Sequence, residues 1–541
     1  MAGIAIRRSK FCVLLSILAV LSMNPASSAS FDCAKAVTPT EKAICADPVL
    51  SRLDEQLDDA YRVAQKRASS RIALRDAQRT WLATRRDVCR DSACLRAAYE
   101  ARIDALLDES KGNPTTETLE INATKAREPY TTSTTSCAGF PRLNIGMAAG
   151  MCAGLVTGPT QGNPTRRIRM PRSLLELDAN IWLVTDLGAW TGKTGAVWRI
   201  RINNDRSITL DALVKGLQLP HTLAWGPDKL VYASEMGRIF RFDPRVADPA
   251  ATIETVIGNL PDNRLHAHRH PIAAFVFDAD GALLVNVGAP SDQCLDENGK
   301  PASPTCVESE LGEQVASIRH YAAAGPGEWN PKYTVHARGL RNSVALARHR
   351  SGTILQGENS FDFEARLRPF EEINVIQAGR HYGWPYCFDN DQPSPGWKGL
   401  PVAVCADANR YTAPALLLPP HSSPLAMVWY DGPMFPQLQG RLLVSWHGFR
   451  SVGGRIAAFA TDATGVPTRS KGATFPAYGG PALPYAAANS ATATILTPEW
   501  NKVVGVRPQG SPVGLTVAKD GAIWTTDDRA GLVIRIAADS R

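Results

Sequence analysis

One two-strand pattern returns six times along this chain, and it limits the possible folds more than any other feature. Each copy runs strand, turn with Asp or Gly, strand. The copies are LLELDANIWLVT (174–185), LAWGPDKLVYASE (223–235), FVFDADGALLVNVG (275–288), VALARHRSGTILQGE (344–358), MVWYDGPMFPQLQGRLLVSW (427–446) and LTVAKDGAIWTTD (515–527). Several continue into a third strand, as at 237–242 and 531–536. One such antiparallel unit cannot bury both of its faces, so the copies must stack. Six units placed radially make a six-bladed β-propeller with short, protected edges. A two-sheet sandwich is the alternative, and six repeats of one motif disfavour it. The uneven spacing puts long insertions at 290–335 and 360–425. In propellers such insertions gather at one mouth of the channel, where function sits.

The region ahead of the repeats has another character. Residues 31–110 hold few glycines and read as all-helical. Thr38-Pro39-Thr40-Glu41 is a capping box with proline at the first helical position, and Asp47-Pro48 opens a second helix. Leu50, Leu53, Leu57 and Tyr61 recur at helical spacing, and Leu74, Ala77 and Trp81 share a face further on. Residues 111–136, rich in Thr, Pro, Glu and Lys, read as a linker. The expected division is a signal peptide at 1–29, a small all-α domain at 30–110, the linker, and the propeller at 137–541.

The signal reading rests on Arg7, Arg8 and Lys10, followed by an apolar stretch at 11–21 too short to span a bilayer, with Ser27 and Ala29 placed for cleavage after Ala29. Arg7-Arg8 hints at twin-arginine export. No later segment is long and apolar enough to cross a membrane, so the expected location is the periplasm or outside the cell. Of 11 cysteines, Cys12 leaves with the signal. The remainder fall as neighbours: Cys33 and Cys45, Cys89 and Cys94, Cys137 and Cys152, Cys294 and Cys306, Cys387 and Cys405. In an oxidising compartment they read as local disulfides; no Cys/His spacing supports zinc. The net charge of +7 is too small and scattered for a nucleic-acid partner.

Three groups can carry chemistry. His266, His268 and His270 alternate before the third repeat. They read as a solvated loop, an adventitious metal site, or, for His270 at the start of a blade, a base that removes a hydroxyl proton. Arg341-Asn342 offers a planar guanidinium fork and an amide, or ties two blades together. Glu358-Asn359-Ser360, then Glu371, Glu372 and Asn374, bring carboxylates and carbonyls suited to Ca²⁺, or cap turns. No P-loop, nucleophile elbow or dinucleotide fingerprint occurs.

The strings GLRNSVAL (339–346), ILQGENS (354–360), EEINVI (371–376) and HYGWPYC (381–387) together resemble the glucose/sorbosone dehydrogenase family. Segments 220–235 and 268–288 also resemble family blades, and the likeness covers most of residues 170–537. It implies a six-bladed propeller that binds pyrroloquinoline quinone (PQQ) and Ca²⁺ and oxidises a sugar or sugar-derived aldehyde, passing electrons to an acceptor the sequence does not name. It implies His270 as catalytic base, Arg341 and Asn342 as quinone contacts, Asn359 in place of a quinone-contacting glutamine, and the carbonyls of Ser360 and Phe361 as Ca²⁺ ligands. Arg450 and Arg455 are candidates for holding the quinone carboxylates. Two positions depart from glucose-oxidising members: Arg269 stands where they have Asp before the histidine, and Ala289 where they have Asp after Val-Gly. The alternatives are a glycan-binding propeller without catalysis and a metal-dependent lactonase. Residues 31–57, 78–89 and 94–106 resemble the lysozyme-inhibitor LprI-like domain, which implies contact with lysozyme or cell-wall components.

Overall fold

The computed structural model describes residues 29–67, 71–107, 130–159, 167–190, 192–261, 270–296, 299–362, 368–397, 399–448, 453–470, 474–475, 483–484, 490–498, 500 and 510–540. The chain divides into two compact units, residues 1–120 and 121–541. The signal expected at 1–29, apart from Ala29, lies outside the described residues.

The first unit is helical, with helices Pro39–Ala46, Pro48–Arg67, Arg71–Trp81 and Ser92–Leu107. The capping box forms as expected: Thr38 Oγ1 accepts from the Glu41 N–H and Glu41 Oε2 accepts from the Thr38 N–H. Ile44, Leu50, Leu57, Trp81, Tyr99 and Ile103 make the core. Tyr99 donates to the buried Asp54 carboxylate at 2.6 Å. Disulfides Cys33–Cys45 and Cys89–Cys94 brace this small core, as short domains with little apolar volume require.

The second unit is the six-bladed β-propeller. Blade 1 is Pro171–Asp178, Ile181–Asp186, Gly195–Ile202 and Ile208–Leu217; blade 2 is Leu223–Trp225, Val231–Glu235, Arg238–Phe242 and Glu254–Ile257. Blade 3 is Phe275–Phe277, Leu283–Val287, Ser317–Tyr321 and Thr334–Arg338, with the short parallel strand Arg380–His381 on its edge. Blade 4 is Ala345–Arg348, Ile354–Glu358, Glu371–Val375 and Leu416–Leu418; blade 5 is Pro424–Trp429, Leu442–Trp446, Arg455–Phe459 and Thr494–Ile495. Blade 6 joins Pro512–Val517, Ile523–Asp527 and Leu532–Ala538 to Met151–Thr157 from the start of the unit. The first two strands of every blade are the repeat read from the sequence. The second strands Val231–Glu235 and Leu283–Val287 are buried end to end, because neighbouring blades cover both of their faces. Trp182 and Trp524 stack across the junction of blades 1 and 6 with ring centroids 4.0 Å apart.

One boundary differs. Strand Thr132–Cys137, all but its last residue in the stretch read as linker, pairs with Phe140–Leu143 on the outside of blade 6. It is an edge strand with an exposed middle, so its Thr/Ser composition carries no apolar period. The buried Tyr130 just before it donates to Asp527 at 2.8 Å. All the expected local disulfides form, including Cys137–Cys152 here and Cys294–Cys306 and Cys387–Cys405 in the two insertions.

Candidate functional site

In several blades a polar side chain stands at the head of the innermost strand or a few residues before it. These residues are Arg172 in blade 1, His221 in blade 2, His270 in blade 3 and Arg341 in blade 4. One step along each strand come apolar residues, and Ile272, Val344, Leu425 and Val513 meet in one cluster from blades 3 to 6. Beyond this ring the central channel opens into a cavity of about 1030 Å³, lined by the inner strands of all six blades.

His270 is buried. Its Nδ1 lies 2.7 Å from the carbonyl oxygen of Ala289. A carbonyl only accepts, so Nδ1 carries the proton and a neutral ring keeps its lone pair on Nε2. Asn286 holds the segment behind it, accepting from the Ala274 N–H and donating to the Ile272 carbonyl. Gly288 is required here, because a Cβ on it would stand 2.5 Å from the His270 carbonyl oxygen. His266, His268 and Arg269 lie outside the described residues.

Arg341 joins this group through the main chain: the Ala289 N–H donates to the Arg341 carbonyl at 2.8 Å. The guanidinium is buried. Its Nη1 donates to the Asn359 carbonyl at 2.9 Å, and Nη2 pairs with Asp292 at 2.6 Å and Asp362 at 3.1 Å. The Asn342 N–H donates to Glu358. Asn359 has spent its amide: Nδ2 donates to the carbonyls of Pro424 and Asn342, and Oδ1 accepts from Ser423. The geometry makes it a tie between blades 4 and 5. The Ser360 N–H donates to Glu371 at 2.6 Å. Burial pushes Glu358 up to about 7 and Glu371 up to about 8, against the opposing charge of Arg341.

Of the cations considered for quinone carboxylates, Arg450 lies outside the described residues. Arg455 is buried at the head of its strand, with Nη1 3.5 Å from the Gly453 carbonyl. The structure offers a network the sequence reading missed. Arg172 pairs with Asp528 at 2.6 Å, Asp528 accepts from His447 at 2.8 Å, and Arg172 Nε donates to His221 Nδ1 at 3.2 Å. Burial pushes Asp528 up, but His447 and Arg172 hold it well below the usual carboxylate range. Burial and the Arg172 charge keep His221 well below its ordinary value, hence neutral.

The donor chemistry suits an acceptor-rich planar ligand. Arg341 Nε is buried without a hydrogen-bond partner. The Asn342 side-chain amide makes no hydrogen bond to the described residues, and the apolar ring of Ile272, Val344, Leu425 and Val513 lies next along the same strands. The carboxylates of Asp292 and Asp362, both paired with Arg341, are hard oxygen donors of the kind Ca²⁺ takes. Among the described residues no group of three or more His, Cys, Asp or Glu side chains converges on a metal position.

The TrAA12-like family model matches residues 161–539. The chain belongs to the TrAA12-like family. The kinship with quinone-dependent sugar dehydrogenases read from the motifs is thereby borne out. The lysozyme inhibitor LprI model matches residues 33–127 of this TrAA12-like chain. No curated protein matches it. The propeller is similar in fold to the iodide structure of Trichoderma reesei Carbohydrate-Active Enzymes Family AA12, at 18% identity and TM-score 0.55, over 78% of this chain and 100% of that one. It is likewise similar to the holo form of the pyranose dehydrogenase PQQ domain from Coprinopsis cinerea, at 20% identity and TM-score 0.53, over 74% and 100% of the two chains.

Proposed function

We propose that this chain is a PQQ- and Ca²⁺-dependent dehydrogenase of an aldose or sorbosone-like aldehyde, acting in the periplasm or outside the cell. The observation that carries the reading is His270, whose Nδ1–H is fixed on the Ala289 carbonyl at 2.7 Å, so that Nε2 is the basic atom. The Ala289 main chain joins it to Arg341. At Ala289, where glucose-oxidising members have Asp, the backbone carbonyl orients the ring. His270 takes the proton from the substrate hydroxyl at Nε2. Arg341 and Asn342 would hold the quinone, the carbonyls of Ser360 and Phe361 would hold Ca²⁺, and Asn359 would position that loop. When bound, the quinone supplies the hydride acceptor. The electrons then leave to an external acceptor.

The helical unit would serve as a contact for lysozyme or cell-wall components, supported by the LprI match. The disulfides support an oxidising compartment.

The test is titration of purified protein with PQQ, with and without Ca²⁺, followed by dye reduction across a panel of aldoses. Saturable Ca²⁺-dependent quinone binding and sugar-dependent dye reduction are expected. Failure to bind quinone in Ca²⁺ would overturn the reading in favour of a glycan-binding propeller.

A further inference from the structure

The two insertions border a second, open-sided cavity, of about 590 Å³, that the quinone reading does not use. Its polar group is Glu310 with His381 and Arg338. The Gly383 N–H donates to His381 Nδ1 at 3.0 Å, so the ring proton sits on Nε2, which donates to Glu310 Oε1 at 2.8 Å. Burial keeps His381 below its ordinary value. Ser309 also donates to Oε1, at 3.1 Å.

These bonds fix the carboxylate, and its other oxygen faces the Arg338 guanidinium as an ion pair. Oε2 lies 3.5 Å from Arg338 Nε, which is buried and has no hydrogen-bond partner. Neither Oε2 nor the Arg338 terminal nitrogens make a hydrogen bond to the described residues. A fixed acceptor beside a planar donor suits two adjacent hydroxyls. One hydroxyl donates to the carboxylate, and the oxygen of the next accepts from the guanidinium.

The walls are aromatic. The rings of Tyr386 and Tyr411 lie 6.2 Å apart, and Tyr411 packs edge-on to His381 at 4.9 Å. Tyr386 is pinned through its hydroxyl, which accepts from the Cys306 N–H at 2.8 Å. Disulfides Cys294–Cys306 and Cys387–Cys405 hold the two insertions on either side of it. Such a cavity, with aromatic rings beside convergent polar groups and Asn409 and Arg410 on its lining, is of ligand-binding size.

We infer that this cavity is a second saccharide-binding site, gripping adjacent ring hydroxyls with Glu310 and Arg338 and a pyranose face with Tyr411. The inference stands apart from the quinone reading, because none of the residues lining this cavity is assigned there to the base, the quinone or Ca²⁺.

The test uses the full chain without quinone or Ca²⁺, titrated by saturation-transfer NMR with cellobiose, maltose and lactose. Tetrahydropyran-2-methanol, a ring without adjacent hydroxyls, is the control. At least one disaccharide should bind saturably and the control should not. Glu310→Gln, which replaces an acceptor oxygen by a donor, should weaken binding about ten-fold or more. Tyr411→Phe, which keeps the ring packed on His381, should leave binding in place, and Tyr411→Ala, which removes that ring, should weaken it as Glu310→Gln does. Binding should persist in His270→Asn. The inference is overturned if no disaccharide saturates at tens of millimolar. It is also overturned if binding survives Glu310→Gln and Tyr411→Ala but is lost in His270→Asn, which would place the sugar at the channel mouth.

Discussion

Gly288→Ala tests the placement of the base without touching the base. An alanine Cβ at this position would stand 2.5 Å from the His270 carbonyl oxygen and 2.7 Å from the His270 Cβ, where ordinary contact begins at 3.4 Å. The segment carrying His270 must therefore give way by about 0.9 Å. Asn286 holds the far side of that segment, so the displacement falls on His270 itself and on its bond to Ala289. A misplacement of about 1 Å at a reacting group costs roughly 10²-fold in rate. Overpacking of this kind costs about 1–3 kcal/mol of stability. The assay is dye-linked sugar oxidation by protein loaded with PQQ and Ca²⁺, with quinone affinity measured separately by titration. Turnover should fall about 10²-fold while quinone affinity changes little, since Arg341 and Asn342 are not displaced. Unchanged turnover in a variant that keeps the added methyl would refute the claim that His270 is the base.

Other outcomes follow from the surrounding residues. Arg341→Ala should weaken quinone binding in direct titration, because its buried Nε donor and charge are lost, and leave Asp292 and Asp362 repelling each other. Burial pushes Asp389 up to about 7, so it is protonated in the fold and ionised in the unfolded chain. Its contribution is full below about pH 4 and drains away as pH rises to about 7; urea melts across that range should show the slope, and Asp389→Asn should reduce it, leaving the shares of Glu358 and Glu371. Replacing Cys387 and Cys405 by serine opens a link spanning a sequence separation of 18. This should cost about 3 kcal/mol in chemical denaturation on the chain-entropy account.

The blades were legible because each inner strand pair combines β-branched alternation with an Asp/Gly turn, two signals that agree locally. His270 and Arg341 were legible because they stand ahead of such pairs. The network of Arg172, His221, His447 and Asp528 was not, since Arg172 and Asp528 are 356 residues apart and no local motif joins them. Aligning the repeats on their strand pairs would have put Arg172 and His221 at one shared position, two residues ahead of Leu174 and Leu223, apart from the position of His270 and Arg341. Asp292 and Glu310 were missed for another reason: they lie in insertions without a period, whose shape is set by disulfides and aromatic packing. Tyr130 escaped because the polar edge strand after it looks like linker.

The seam in blade 6 sets the order of events during biosynthesis. Met151–Thr157 is among the first parts of the propeller to be made, yet its inner neighbour is Leu532–Ala538, among the last. Arg142 reaches Asp539 with both guanidinium arms, and Tyr130 reaches Asp527. Until those residues emerge, the ring has an open gap and two unpaired sheet edges able to capture foreign strands. A nascent chain of this kind therefore spends almost its whole synthesis in a form that must be shielded. Once closed, the ring locks its two ends against each other, and stripping the final strand should undo all six blades together.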